Sequence, residues 1–183
     1  MLTSGAYSCL VVPVPELEPV VRPRLERTAP TYLFRDRAEP GSAHAQITLL
    51  APFAGKGEID DGMLRELDAF FADVTAFTFR LTAVGEFSGG ATYLTPDPSA
   101  PFRRLTRQLV TRFPEYPPFG GAFGDLVPHI SVPVPPDETP ESVRADLEER
   151  LPITANAREA QLVWFEPDAV GVLARFPFST SAA

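Results

Sequence analysis

Short apolar runs and helix-spaced stretches alternate along the chain, and each predicts an element. Residues 8–14 (SCLVVPV) form a continuous apolar run of strand length. Leu17, Val20, Val21 and Leu25 follow at helical spacing, but Pro19 and Pro23 predict that any helix over 15–27 is short or kinked. Residues 28–42 hold turn formers and charges and read as a loop. A strand is predicted over 44–53, ended by Pro52. An amphipathic helix follows over 60–74, with Leu64, Leu67, Phe71 and Val74 on one face and Asp60 or Asp61 as its cap. Alternation over 77–87, a Gly89-Gly90 turn and the run 91–95 predict a hairpin. A second amphipathic helix is predicted over 98–113, with Phe102, Leu105, Leu109 and Phe113 inward. A Pro/Gly/aromatic loop (114–124), a strand (128–134) and a helix (139–151) come next. Two closing strands are expected over 153–165 and 170–178, with a frayed tail at 179–183. Helices mixed with hairpins make the class α+β, and 183 residues suit one domain, 1–183, with room for two similar lobes.

Composition narrows the function classes. Hydrophobic residues are 44% of the chain, enough for a core. A net charge of −8 repels a long phosphate backbone, so extended nucleic acid is a poor partner and a small ligand a better one. Arg103, Arg104, Arg107 and Arg112 read as a solvated helix face. The lone cysteine, Cys9, excludes an internal disulfide and sits among apolar neighbours as a buried thiol. No leader-like segment opens the chain and no apolar run reaches about 18 residues, so a cytoplasmic protein without a membrane partner is expected.

The chemistry concentrates in two short segments that echo each other, Gln46-Ile47-Thr48 and His129-Ile130-Ser131. Positions i and i+2 of a strand share a face. Ile47 and Leu49, like Ile130 and Val132, then face a core, while Gln46, Thr48, His129 and Ser131 face the other way. The chain has only two histidines, His44 and His129, and each opens an apolar strand near a hydroxyl on the same face.

With these segments in place, the chain resembles the 2H phosphoesterase superfamily, in its bacterial 2′-5′ RNA ligase-like branch. The likeness runs through LVVPVPE, LLAPF, YLTPDPSAPFRRLT and, most specifically, FPEYPPFGGAFGDLVPHISV. It implies a bilobal, pseudo-twofold fold with two antiparallel sheets, flanking helices and a central cleft, as a monomer. Each lobe would supply one His-x-Thr/Ser motif. One histidine would act as base and the other as acid, with hydroxyls holding the phosphate and no metal or other cofactor. The implied activity is hydrolysis of small cyclic or 2′-5′ phosphodiesters.

The second motif is intact at His129 and Ser131, but Gln46 stands where the family has its first histidine. Glutamine cannot exchange a proton. His44, two residues earlier, would lie roughly 6.5–7 Å further along a regular strand. Three readings follow: a phosphodiesterase in which His44 replaces the missing imidazole; a fold turned to another reaction (isomerase, lyase or cyclase) with His129 as the one acid or base and Gln46 as a substrate hydrogen bonder; or a small-ligand binding protein without catalysis. Tyr93 and Phe119 are further cleft candidates, alongside packing roles. Tyr116, Phe123 and Trp164 read mainly as packing residues, and Arg35 and Arg37 as residues able to close over an anion.

Overall fold

The computed structural model describes residues 6–28, 44–87, 90–121, 127–166 and 169–180. They form eight strands: β1 (Tyr7–Pro13), β2 (Gln46–Leu50), β3 (Phe77–Glu86), β4 (Thr92–Asp97), β5 (Ile130–Val132), β6 (Ile153–Ala157), β7 (Glu159–Glu166) and β8 (Ala169–Pro177). The α-helices among the described residues are α1 (Glu18–Thr28), α2 (Asp61–Ala72), α3 (Ala100–Arg112) and α4 (Pro140–Arg150).

The strands make two four-stranded antiparallel sheets, ordered β2-β1-β7-β8 and β5-β4-β3-β6. The two orders superpose as β2 on β5, β1 on β4, β7 on β3 and β8 on β6, which gives the α+β fold its pseudo-twofold character. In each half an edge strand, β2 or β5, carries one of the two echoing segments. The helices cross over: α1, which follows β1, packs against β5, and α3, which follows β4, packs against β2. Each central edge strand is therefore braced by the helix of the opposite half.

Alternation decides which side chains go inward. Along β2, Ile47 and Leu49 are fully buried while Gln46 and Thr48 are half-buried. Along β5, Ile130 and Val132 are buried while Ser131 is exposed. These inward residues join one large core with Leu10, Leu81, Leu94, Phe71, Phe79, Phe102 and Leu109. A smaller apolar cluster of Cys9, Val11, Ala51, Val163 and Val170 covers the opposite face of the first sheet, so Cys9 is a buried thiol.

Local chemistry explains the helix boundaries. Asp60 Oδ1 accepts the Met63 N–H at 2.8 Å and starts α2. Thr139 and Ser142 form a reciprocal capping box at α4. In α1, Pro19 falls in the first turn, where no backbone donor is lost, and the helix continues through Pro23 because Val20 and Val21 are buried. Arg24 of α1 bonds both Glu138, ahead of α4, and Asp146 within it, tying the two halves by partly buried ion pairs of 3.2 and 2.8 Å.

In the stretch 15–27, a 3-10 turn at Pro15–Leu17 leads into α1, which runs through Pro23. Three expectations need correction. β2 begins at Gln46, so His44 lies in a bend outside the strand. The single strand predicted over 153–165 is two strands in different sheets, β6 beside β3 and β7 beside β1, because the chain changes sheets at Arg158. Ser179 is not frayed: its backbone and hydroxyl bond Val74 O at 2.8 and 3.1 Å, and Ala76 N donates to Ser179 O.

Candidate functional site

β2 and β5 approach each other at the junction of the two sheets. Thr48, Leu49 and Ala51 from the first half and Val127, Pro128 and His129 from the second line one small cavity, joined by Thr106 of α3. Its volume is about 30 Å³, room for a water or an oxygen of a ligand. Thr48 and His129, paired from sequence alone, thus share a hollow. Gln46 and Ser131 lie two residues along their strands on the same faces as Thr48 and His129.

His129 is held in a defined orientation. Its Nδ1 lies 2.7 Å from Val127 O. A carbonyl only accepts, so Nδ1 carries the hydrogen, and in the neutral ring the lone pair sits on Nε2. Two aromatic rings fix the imidazole plane: Phe87 at 4.8 Å and Tyr93 at 5.6 Å, both edge-on. Phe87 and Tyr93 pack on each other at 4.2 Å.

Tyr93 can take this position because its cross-strand neighbour is Gly85. A Cβ at residue 85 would fall 2.3–2.6 Å from Tyr93 ring and hydroxyl atoms. The tyrosine ring lies flat over the bare glycine and from there supports Phe87 and His129.

His44 is placed differently. Its Nδ1 donates to Glu18 Oε1 at 2.5 Å, and the backbone N–H groups of His44 and Ala45 reach Glu18 Oε2 at 2.7 and 3.1 Å. The imidazole is only 2% exposed. It is a docking group that ties the start of β2 to α1, and the cavity shared by Thr48 and His129 does not include it.

Partial burial raises the Glu18 carboxyl, but the His44 ring hydrogen bond, the Ala45 N–H and the His44 charge together bring it below its ordinary value of 4.5. A carboxylate depressed by folding stabilises the fold fully above its unfolded pKa, and that contribution disappears as pH falls through the depressed value. Urea unfolding between about pH 3 and 6 should therefore show wild type losing more stability below 4.5 than Glu18→Gln does. Equal slopes would mean the contact contributes nothing.

Tyr93 packs on Phe87 and His129, and the cavity shared by Thr48 and His129 does not include it. Phe119 lies in a short 3-10 helix, Pro118–Gly121, and its side chain falls outside the described residues, as do Arg35, Arg37 and Phe123. Tyr116 is a packing residue against Phe53, with its hydroxyl on Glu58. Trp164 is buried, its Nε1 donating to Glu166 at 3.1 Å. Sequence reasoning missed Gly85, Phe87 and Thr106. Only Thr106 left a readable signal, a hydroxyl on the apolar stripe of α3. Among the described residues, no cluster of three or more His, Cys, Asp or Glu could hold a metal ion, and no helix is long and apolar enough to cross a membrane.

Two sheets meeting at a cleft, with one His-x-Ser motif at the meeting edge, define the chain as a protein of the 2H phosphoesterase type. The family model for the 2′-5′ RNA ligase superfamily matches residues 15–169, and the chain belongs to that superfamily. Solved structures share the fold at low identity. TT0787 of Thermus thermophilus is 16% identical with a TM-score of 0.59, over 97% of this chain and 100% of that one. Escherichia coli LigT complexed with 3′-AMP is 16% identical with a TM-score of 0.56, over 96% and 99%. A structure described as a phosphoesterase is 17% identical with a TM-score of 0.53, over 96% and 99%. No curated protein matches the sequence.

Proposed function

We propose that the cleft binds a small phosphoester, such as a nucleotide or a cyclic phosphodiester, and that any proton transfer runs through His129 alone. The observation that carries this reading is the divergent fate of the two histidines. His129 lines one cavity with Thr48, whereas His44 is buried on Glu18. Hydroxyls and a protonated imidazole suit phosphoryl oxygens, since each donates a hydrogen bond to developing or resident negative charge. Phe87 is 37% exposed beside His129 and offers a ring face to a base or similar group. Escherichia coli LigT has been solved with 3′-AMP, NADP+ and ATP, which favours a ligand of nucleotide size for this fold.

In-line opening of a cyclic phosphodiester needs a base on the attacking side and an acid on the leaving side. One imidazole serves one side. Gln46 can bind and orient, but it cannot complete the pair. Hydrolysis by the native site is therefore slow. A reaction in which one group takes and returns the same proton, such as an isomerisation, elimination or cyclisation, suits it better.

Calorimetric titration with 3′-AMP, paired with a 2′,3′-cyclic AMP turnover assay, tests this. Removing the imidazole in His129→Ala is expected to weaken binding by roughly 10- to 100-fold, the worth of a charge-assisted hydrogen bond. Glu18→Gln, which disturbs only the His44 anchor, should leave binding unchanged. Fast wild-type turnover lost equally in His44→Ala and His129→Ala would instead make His44 the second catalytic imidazole and reject the single-histidine reading.

A further inference from the structure

We propose that Thr106 is a third phosphate-binding hydroxyl of the cleft, contributed by α3. This rests on the reading of the cleft as a phosphoester site. Phe102, Thr106, Leu109 and Phe113 occupy one face of α3 at helical spacing. The other members of this stripe are buried, Phe102 and Leu109 completely and Phe113 to 3% exposure. Helical periodicity alone calls for an apolar side chain at 106. Thr106 is half-buried, and its β-branched side chain brings a hydroxyl to the edge of that stripe.

The usual partner is absent. On the same helix Thr111 returns its hydroxyl to Arg107 O at 3.0 Å, whereas among the described residues the Thr106 hydroxyl makes no side-chain hydrogen bond. Instead Thr106 lines the cavity that holds Thr48 and His129. Three walls of that cavity, β2, α3 and the segment entering β5, thus each supply one group able to donate a hydrogen bond. A tetrahedral phosphate offers oxygens in several directions, and donors from three sides suit it better than donors from one strand pair. Because α3 follows β4 and packs against β2, the third donor comes from the helix that braces the opposite half.

The experiment measures calorimetric binding of 3′-AMP and of inorganic phosphate to wild type, Thr106→Val, Thr106→Ser, Thr111→Val and His129→Ala, with thermal melts to confirm folding. Valine keeps the shape of threonine without its hydroxyl. Thr106→Val is expected to weaken both ligands about tenfold, while Thr106→Ser stays within about twofold and Thr111→Val is unchanged. A Thr106→Val variant that binds both ligands like wild type, while His129→Ala binds them weakly, overturns the Thr106 assignment and leaves the cleft standing. Equal weakening in Thr111→Val also overturns it, since the effect would then act through the helix. Failure of wild type to bind either ligand overturns the cleft reading and the assignment together.

Discussion

Gln46→His is expected to raise 2′,3′-cyclic nucleotide hydrolysis by about 10²–10⁴-fold over wild type, the usual contribution of one acid or base. The register of β2 makes the substitution specific. Gln46 pairs with Pro13 and Thr48 with Val11 on β1, while Ile47 and Leu49 are buried in the core. A slip by one residue would expose both apolar side chains, so residue 46 is held on the Thr48 face. An imidazole there would stand across the β2–β5 junction from His129. Two imidazoles in opposite protonation states give a bell-shaped pH–rate profile, which a single imidazole does not. The gain should vanish in the Gln46→His/His129→Ala double variant. A Gln46→His protein that binds 3′-AMP normally yet hydrolyses no faster than wild type would show that residue 46 does not reach the reacting atoms.

What could be read from the chain was what depends on local period. The Gln-Ile-Thr-Leu and His-Ile-Ser-Val alternations correctly separated core side chains from the polar face, because a strand's side-chain period is fixed by backbone geometry. Helices α2 and α3 were likewise legible from spacing, and the Asp60 cap from residue type. What failed depended on partners distant in sequence. The role of His44 was decided by Glu18, 26 residues earlier, and nothing near position 44 reveals that carboxylate. The stretch 153–165 passes for one strand, and only its pairing with β3 and then β1 exposes the change of sheet. Gly85 looked like an ordinary strand residue until its cross-strand neighbour proved to be a tyrosine lying over it.

That glycine yields the second large effect. Gly85→Ala is expected to lower His129-dependent turnover about 10²-fold, the cost of displacing a reacting group by roughly 1 Å. The backbone at residue 85 does not demand glycine, and alanine in a strand recovers some entropy. The penalty arises from the Cβ, which would sit 2.3 Å from Tyr93 Cζ and force the ring aside. Tyr93 and Phe87 form two sides of the enclosure around His129, so a displaced tyrosine leaves the imidazole free to turn about its Val127 hydrogen bond. Stability should fall by only about 1–3 kcal/mol, the range for overpacking, so a folded variant remains to be assayed. Turnover is best followed in the Gln46→His background, where the rate is high enough to lose. Tyr93→Ala should lower that rate too, and adding Gly85→Ala to it should cost almost nothing more, because the clashing ring is gone. Fully additive losses would mean that residue 85 acts on the sheet rather than through the ring, and the chain of support from Gly85 to Tyr93 to His129 would have to be abandoned.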